Sequence, residues 1–172
     1  MSDSPLTNLF DFQVNGFAGV DYQRDDITLD QVRASVAALQ RHGTTRIFLT
    51  LITDTVDRLC RRYERIDKMR AADPALAAMF VGYHLEGPWL SPEEGYRGAH
   101  SPGPMCSPST ADFARLQAAA GGRIKLVTLA PEWPGSPEFI ADVVSQGIHV
   151  SLGHTNASAA HIDAAITAGA RF

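Results

Sequence analysis

The 172-residue sequence holds only two cysteines, Cys60 and Cys106. They form no CxxC pair, so neither a thiolate metal knuckle nor a dithiol redox motif is available. Cys60 falls on the apolar side of an expected helix and reads as a small core residue. Cys106, in MCSPS, falls in a loop with no partnered base nearby, which argues against a catalytic thiol. Basic clusters are equally scarce. Fifteen Lys and Arg face nineteen Asp and Glu, for a net charge of −4. With no aromatic-basic stripe, a nucleic-acid surface is excluded. No apolar run is long enough to cross a bilayer. The start, MSDSPLTNLF, has no basic segment followed by an apolar one, so no signal peptide is expected and the cytoplasm is the expected location. Gly16 and Gly19, in NGFAG, do not build a phosphate loop or a dinucleotide fingerprint. No linker or low-complexity tract divides the chain, so residues 1–172 are read as a single domain.

What is present is an alternation. Five apolar strand-like runs recur: LFDFQV (9–14), RIFLTLI (46–52), MFVGYHL (79–85), IKLVTLA (124–130) and IHVSLGH (148–154). Helical patterns lie between them. Thr28 and Gln31 have capping-box spacing, Leu29, Val32, Val36 and Leu39 form one stripe, and Gly43 is a stop. Val56, Leu59, Tyr63, Ile66 and Met69 repeat likewise. A helix is expected from near Thr110 to Gly121-Gly122. Another is expected after Ser136-Pro137-Glu138, with Ser136 as N-cap, and a last one after Asn156 or Ser158, reaching Gly169. Five βα units imply a parallel sheet covered by helices, either an open sheet or part of a closed barrel.

In such folds the ligand site lies at the carboxyl ends of the strands. Those ends carry Gln13, Asn15, Thr50, Thr53, His84, Glu86, Glu132, His154, Thr155 and Asn156. Glu86 poses the sharpest problem, because a buried unpaired carboxylate costs several kcal/mol. It could pair with Arg97 or His84. A divalent metal shared with His154 would also pair its charge. Side chains two apart on a strand share a face, so His84 and Glu86 point together, as do Gln13 and Asn15. His42 and His161 read as solvated helix residues and His149 as structural. His100 stays a candidate because it lies in the long loop after the third strand.

HLEGPWLSPEEGYRGAH (84–100), VTLAPEW (127–133), SLGHTNAS (151–158) and DFQVNGFAGVDY (11–22), in this order, resemble the N-acetylglucosamine-6-phosphate deacetylase family of the amidohydrolase superfamily. The resemblance implies an α/β fold comprising the first five βα units of a (β/α)8 TIM-type barrel, truncated and without the family's small β-domain. It implies metal ligands Glu86 and His154, and substrate contacts from Ala99 and His100. Gln13-Val14-Asn15 stands where many amidohydrolases have His-x-His, which favours one divalent ion, zinc being the expected metal. Gln13, Asn15 and His84 are expected to support the site, and Glu132 to serve a structural role. A third histidine ligand and the general-base Asp are expected beyond Phe172. The implied reaction hydrolyses the acetamide of N-acetylglucosamine 6-phosphate, giving glucosamine 6-phosphate and acetate. Alternatives are an amidohydrolase acting on a different amide, or a non-catalytic barrel fragment, for which weak metal binding and negligible hydrolysis are expected. A half-closed barrel leaves an open sheet edge, so a homo-oligomer is also expected.

Overall fold

The computed structural model describes residues 7–172. The signal-peptide reading rests largely on residues 1–6, which lie outside the described residues. Five parallel strands form one sheet: β1 (Leu9–Val14), β4 (Thr44–Ile52), β5 (Phe80–Glu86), β6 (Ile124–Leu129) and β7 (His149–Leu152), in that spatial order. Sequence order equals spatial order, as right-handed βαβ crossovers between neighbouring strands produce. The crossover helices are α1 (Leu29–Arg41), α2 (Val56–Ala72), α4 (Thr110–Ala119) and α5 (Ser136–Ser145), and α6 (Ala159–Ala168) follows β7.

The two faces of the sheet differ because side chains alternate along a strand. Ile47, Leu49, Leu51, Tyr83, Leu85, Val127, Leu129 and Val150 are fully buried. They form one core with the helix stripes, including Val32, Val36 and Leu39 of α1 and Leu59, Tyr63 and Ile66 of α2. The opposite alternation carries Phe48, Thr50, His84, Glu86 and Thr128. Of these, Thr50, His84, Glu86 and Thr128 are all buried. A concavity of about 260 Å³ opens on that second face, lined by Phe10, Phe12, Gln13, Phe48, His84 and Thr128 among others.

The helix ends follow local chemistry. Thr28 and Gln31 make the expected capping box on α1. Ser158, rather than Asn156, caps α6, and Gly169 closes it in the left-handed conformation. Two expectations need correction. Ser136 is not an N-cap: α5 begins at Ser136, and Gly135, at φ 81°, takes the cap position without a side-chain bond. Met79 is not in a strand but ends a helix that the sequence reading missed, α3 (Pro74–Met79). Asp73 caps α3 by accepting from the N–H groups of Ala75 and Leu76. Finally, NGFAG forms a small antiparallel hairpin, β2 (Gly16–Phe17) with β3 (Val20–Asp21). Its two loop residues, Ala18 and Gly19, both have positive φ, the geometry of a tight hairpin turn.

Candidate metal centre

Glu86 ends β5, buried on the second face. Gln13 reaches it from β1, donating from Nε2 to Glu86 Oε2 at 3.1 Å. His154 reaches it from beyond β7, with Nε2 at 3.1 Å from Oε1. Both partners come from strands two positions away on opposite sides, about 10 Å distant in a flat sheet. Only a curled sheet lets both meet one carboxylate, so the curl itself builds the site.

His100 completes the cluster. It is buried in the loop after β5, with Nε2 at 3.7 Å from the same Oε1. Glu86, His100 and His154 each offer a ligand atom within 4.8 Å of the others. The two carboxylate oxygens are therefore divided: Gln13 takes Oε2, and both imidazoles converge on Oε1. One carboxylate and two imidazoles are an oxygen–nitrogen donor set that suits zinc and related divalent ions.

The loops fix the histidines. His154 sits at φ 51°, a left-handed conformation uncommon outside glycine. The Ser91 N–H donates to its carbonyl at 2.9 Å. A Cβ on Gly98 would lie 3.2 Å from its Cε1, so the His100 loop packs closely on its ring. The His100 and His154 rings are 4.4 Å apart. Glu132 clamps the segment that follows, accepting from Thr155 Oγ1 and from the Asn156 N–H. Asn156 Nδ2 in turn donates to Glu93 at 2.8 Å. His100 Nδ1 lies 2.8 Å from Thr53 Oγ1, at the end of β4.

Of the residues singled out in the sequence, Glu86, His154, His100 and Gln13 come together. His100, expected at the substrate, lies close enough to Oε1 to count among the groups that could hold a metal ion. Ala99 is exposed beside it on the loop. Asn15 does not follow Gln13: a register irregularity between Asp11 and Val14 interrupts the alternation, and Asn15 is exposed with its carbonyl accepting from Tyr22 N–H. His84 shares the face of Glu86 but does not bond to it. Its Nδ1 meets Thr50 Oγ1 at 3.2 Å and its Nε2 meets Thr128 Oγ1 at 2.8 Å. Arg97 does not pair with Glu86 either; it donates to the His100 carbonyl at 3.0 Å. Thr53 was noted only as a rim residue, and its contact with His100 spans 47 residues, which local spacing does not reveal.

No protein-family model matches the chain. The N-acetylglucosamine-6-phosphate deacetylase of Bacillus subtilis (strain 168) is 33% identical over 168 residues, covering 96% of this chain and 41% of that protein. The N-acetylgalactosamine-6-phosphate deacetylase of Shewanella sp. (strain ANA-3) is 33% identical over 176 residues, covering 98% of this chain and 41% of that protein. A solved structure of a mutant N-acetyl-D-glucosamine-6-phosphate deacetylase from Mycobacterium smegmatis, in complex with N-acetyl-D-glucosamine-6-phosphate, superposes with a TM-score of 0.82 at 33% identity. It covers 96% of this chain and 41% of that one. The chain thus spans about two fifths of the length of the proteins it matches, and over that span the resemblance to these deacetylases extends to both sequence and fold.

Proposed function

We propose that these residues are the front part of a metal-dependent deacetylase that hydrolyses the acetamide of N-acetylglucosamine 6-phosphate. The observation that carries this reading is the convergence of Glu86, His100 and His154 within 4.8 Å at the carboxyl end of the sheet. The similarity of the chain to relatives named for that reaction supports the substrate class. Glu86 and His154 would hold one divalent ion, zinc being the metal best suited to the donor set. When bound, such an ion lowers the pKa of water toward neutrality and polarises an acyl carbonyl. Gln13 holds Oε2 so that Oε1 stays aimed at the imidazoles. Ser91 holds the His154 carbonyl, and Glu132 holds the two residues that follow the ligand. His100 lies where it can touch the ion or the amide. The general base would be an Asp outside residues 1–172, as the resemblance implies. The Shewanella relative, at the same identity, favours a second reading in which the sugar is the galactosamine epimer.

The test is metal binding to the EDTA-stripped protein, followed by cobalt spectroscopy or zinc competition. Losing an outer-shell partner costs about 10–100-fold in affinity, and Glu86→Gln removes a ligand, so a larger loss is expected. Unchanged binding by Glu86→Gln would overturn the site. On the whole protein, acetate release from both 6-phosphates and from the unphosphorylated sugars assigns the substrate.

A further inference from the structure

We propose that Thr53 is a positioning residue that fixes His100 in a single tautomer, with the proton on Nδ1 and a bare Nε2 lone pair aimed at the Glu86–His154 cluster. A hydroxyl has one proton to give. Thr53 Oγ1 donates it to the Glu86 backbone carbonyl at 3.3 Å. The same Oγ1 lies 2.8 Å from His100 Nδ1, and with its own proton committed it is left to accept there. His100 Nδ1 therefore donates, and in the neutral ring Nε2 is then an acceptor.

The contact at the other nitrogen agrees. His154 Nε2 lies 3.1 Å from Glu86 Oε1, within hydrogen-bond range. His100 Nε2 stands off at 3.7 Å from that same oxygen, as two acceptors without a proton between them do. Thr53, Glu86 and His100 are all buried, so water has little room to substitute for either partner. The backbone is shaped around the contact: Gly87 has φ 84°, and a Cβ there would lie 2.1 Å from Thr53 Oγ1. A ring nitrogen fixed by its second nitrogen's partner is the way proteins set which imidazole atom serves a site. Thr53 thus ties the backbone of one proposed ligand to the ring of its neighbour.

The inference deepens the metal-site reading, and its test does not need a metal. Long-range 15N–1H spectra of the EDTA-treated protein at neutral pH assign the His100 tautomer directly. Nδ1–H is expected in the unsubstituted protein; Nε2–H, or both nitrogens protonated, overturns the proposal without a variant being made. Thr53→Val, which keeps the shape and removes the hydroxyl, is expected to lose the Nδ1–H preference, and Thr53→Ser to restore it. A folded Thr53→Val protein that keeps a pure Nδ1–H ring overturns the role of Thr53. The outcome of the Glu86→Gln metal titration moves independently, so failure of the metal reading and failure of this one are told apart.

Discussion

At the residue scale, the site is a set of short-range demands placed on a few backbone positions. Glu86 and His154 were legible because each follows an apolar run that reads as a strand, and strand ends are where a parallel α/β fold gathers chemistry. His100 was legible only as a loop residue, since loop length says nothing about where the loop returns. Thr53 and Gln13 were visible as polar rim residues, but their partners lie 47 and 73 residues away, beyond any periodic signal. Gly87 illustrates the same point. Its place in a Gly-Pro pair suggests a turn, whereas its specific need is close approach by Thr53 Oγ1. Gly95 has a similar φ of 89° but nothing within 4 Å of its would-be Cβ. Backbone strain of this kind costs about 1–3 kcal/mol. Gly95→Ala should show that strain alone, and Gly87→Ala should lose more, because the added methyl must displace Thr53. Urea denaturation of the two variants checks the ordering; equal midpoints would mean that the Thr53 contact yields freely.

At the scale of elements, the strands were read well and the helix junctions less so. Period-two apolar runs between helical stripes fix existence and type, because each element must bury one face. The junctions depend on single residues competing for the same backbone groups. Ser136 lost the cap to Gly135, which reaches a positive φ that serine resists. The missed helix α3 did carry a signal, since Asp73-Pro74 is an N-cap followed by a first-turn proline. Asp73 has two tasks. It caps α3, and it accepts from Arg33 Nε of α1 at 2.6 Å. The Arg33 guanidinium, then the Leu76 and Ala75 N–H groups, hold its carboxyl below the usual range against the opposing effect of burial. A depressed carboxyl contributes stability above its unfolded value, here 3.8, and loses it as pH falls below. Asp73→Asn keeps a capping oxygen and removes the charge, while Asp73→Ala removes both. Thermal unfolding at pH 7 should therefore rank wild type above Asn above Ala. The gap between wild type and Asn should shrink as the pH is taken below 3.8. A gap unchanged by acid would assign the effect to the cap alone.

At the scale of the whole molecule, curling a parallel sheet gives it two unlike interiors. The outer one, against the helices, is apolar and was predictable as alternate residues of each strand. The inner one carries a polar row in which Thr50, His84 and Thr128 sit side by side on β4, β5 and β6. Such a row is tolerable only if every group is paired. Thr50 Oγ1 donates to the Phe48 carbonyl at 3.4 Å, which leaves it to accept from His84 Nδ1. His84 Nε2 then accepts from Thr128 Oγ1. Both ring nitrogens are thus paired, and burial, the largest influence on the ring, depresses its pKa to about 4 despite the opposing pull of Glu86. The unfolded ring takes its proton near 6.5, so it binds protons before the folded one does. The neutral His84 contribution is thus complete above about pH 6.5, falls away as the pH drops, and levels off below about 4. The difference of about 2.5 pH units between those two values corresponds to a contribution of up to roughly 3 kcal/mol. His84→Leu abolishes the titration and strands the Thr128 hydroxyl, so it should be less stable than wild type at pH 7 by about 1–3 kcal/mol. Its unfolding free energy should then decline less steeply between pH 6.5 and 4.5, bringing the two proteins closer together in acid. Parallel slopes in urea titrations across that window would mean that the folded ring accepts a proton on the inner face, and that burial there does not hold it neutral.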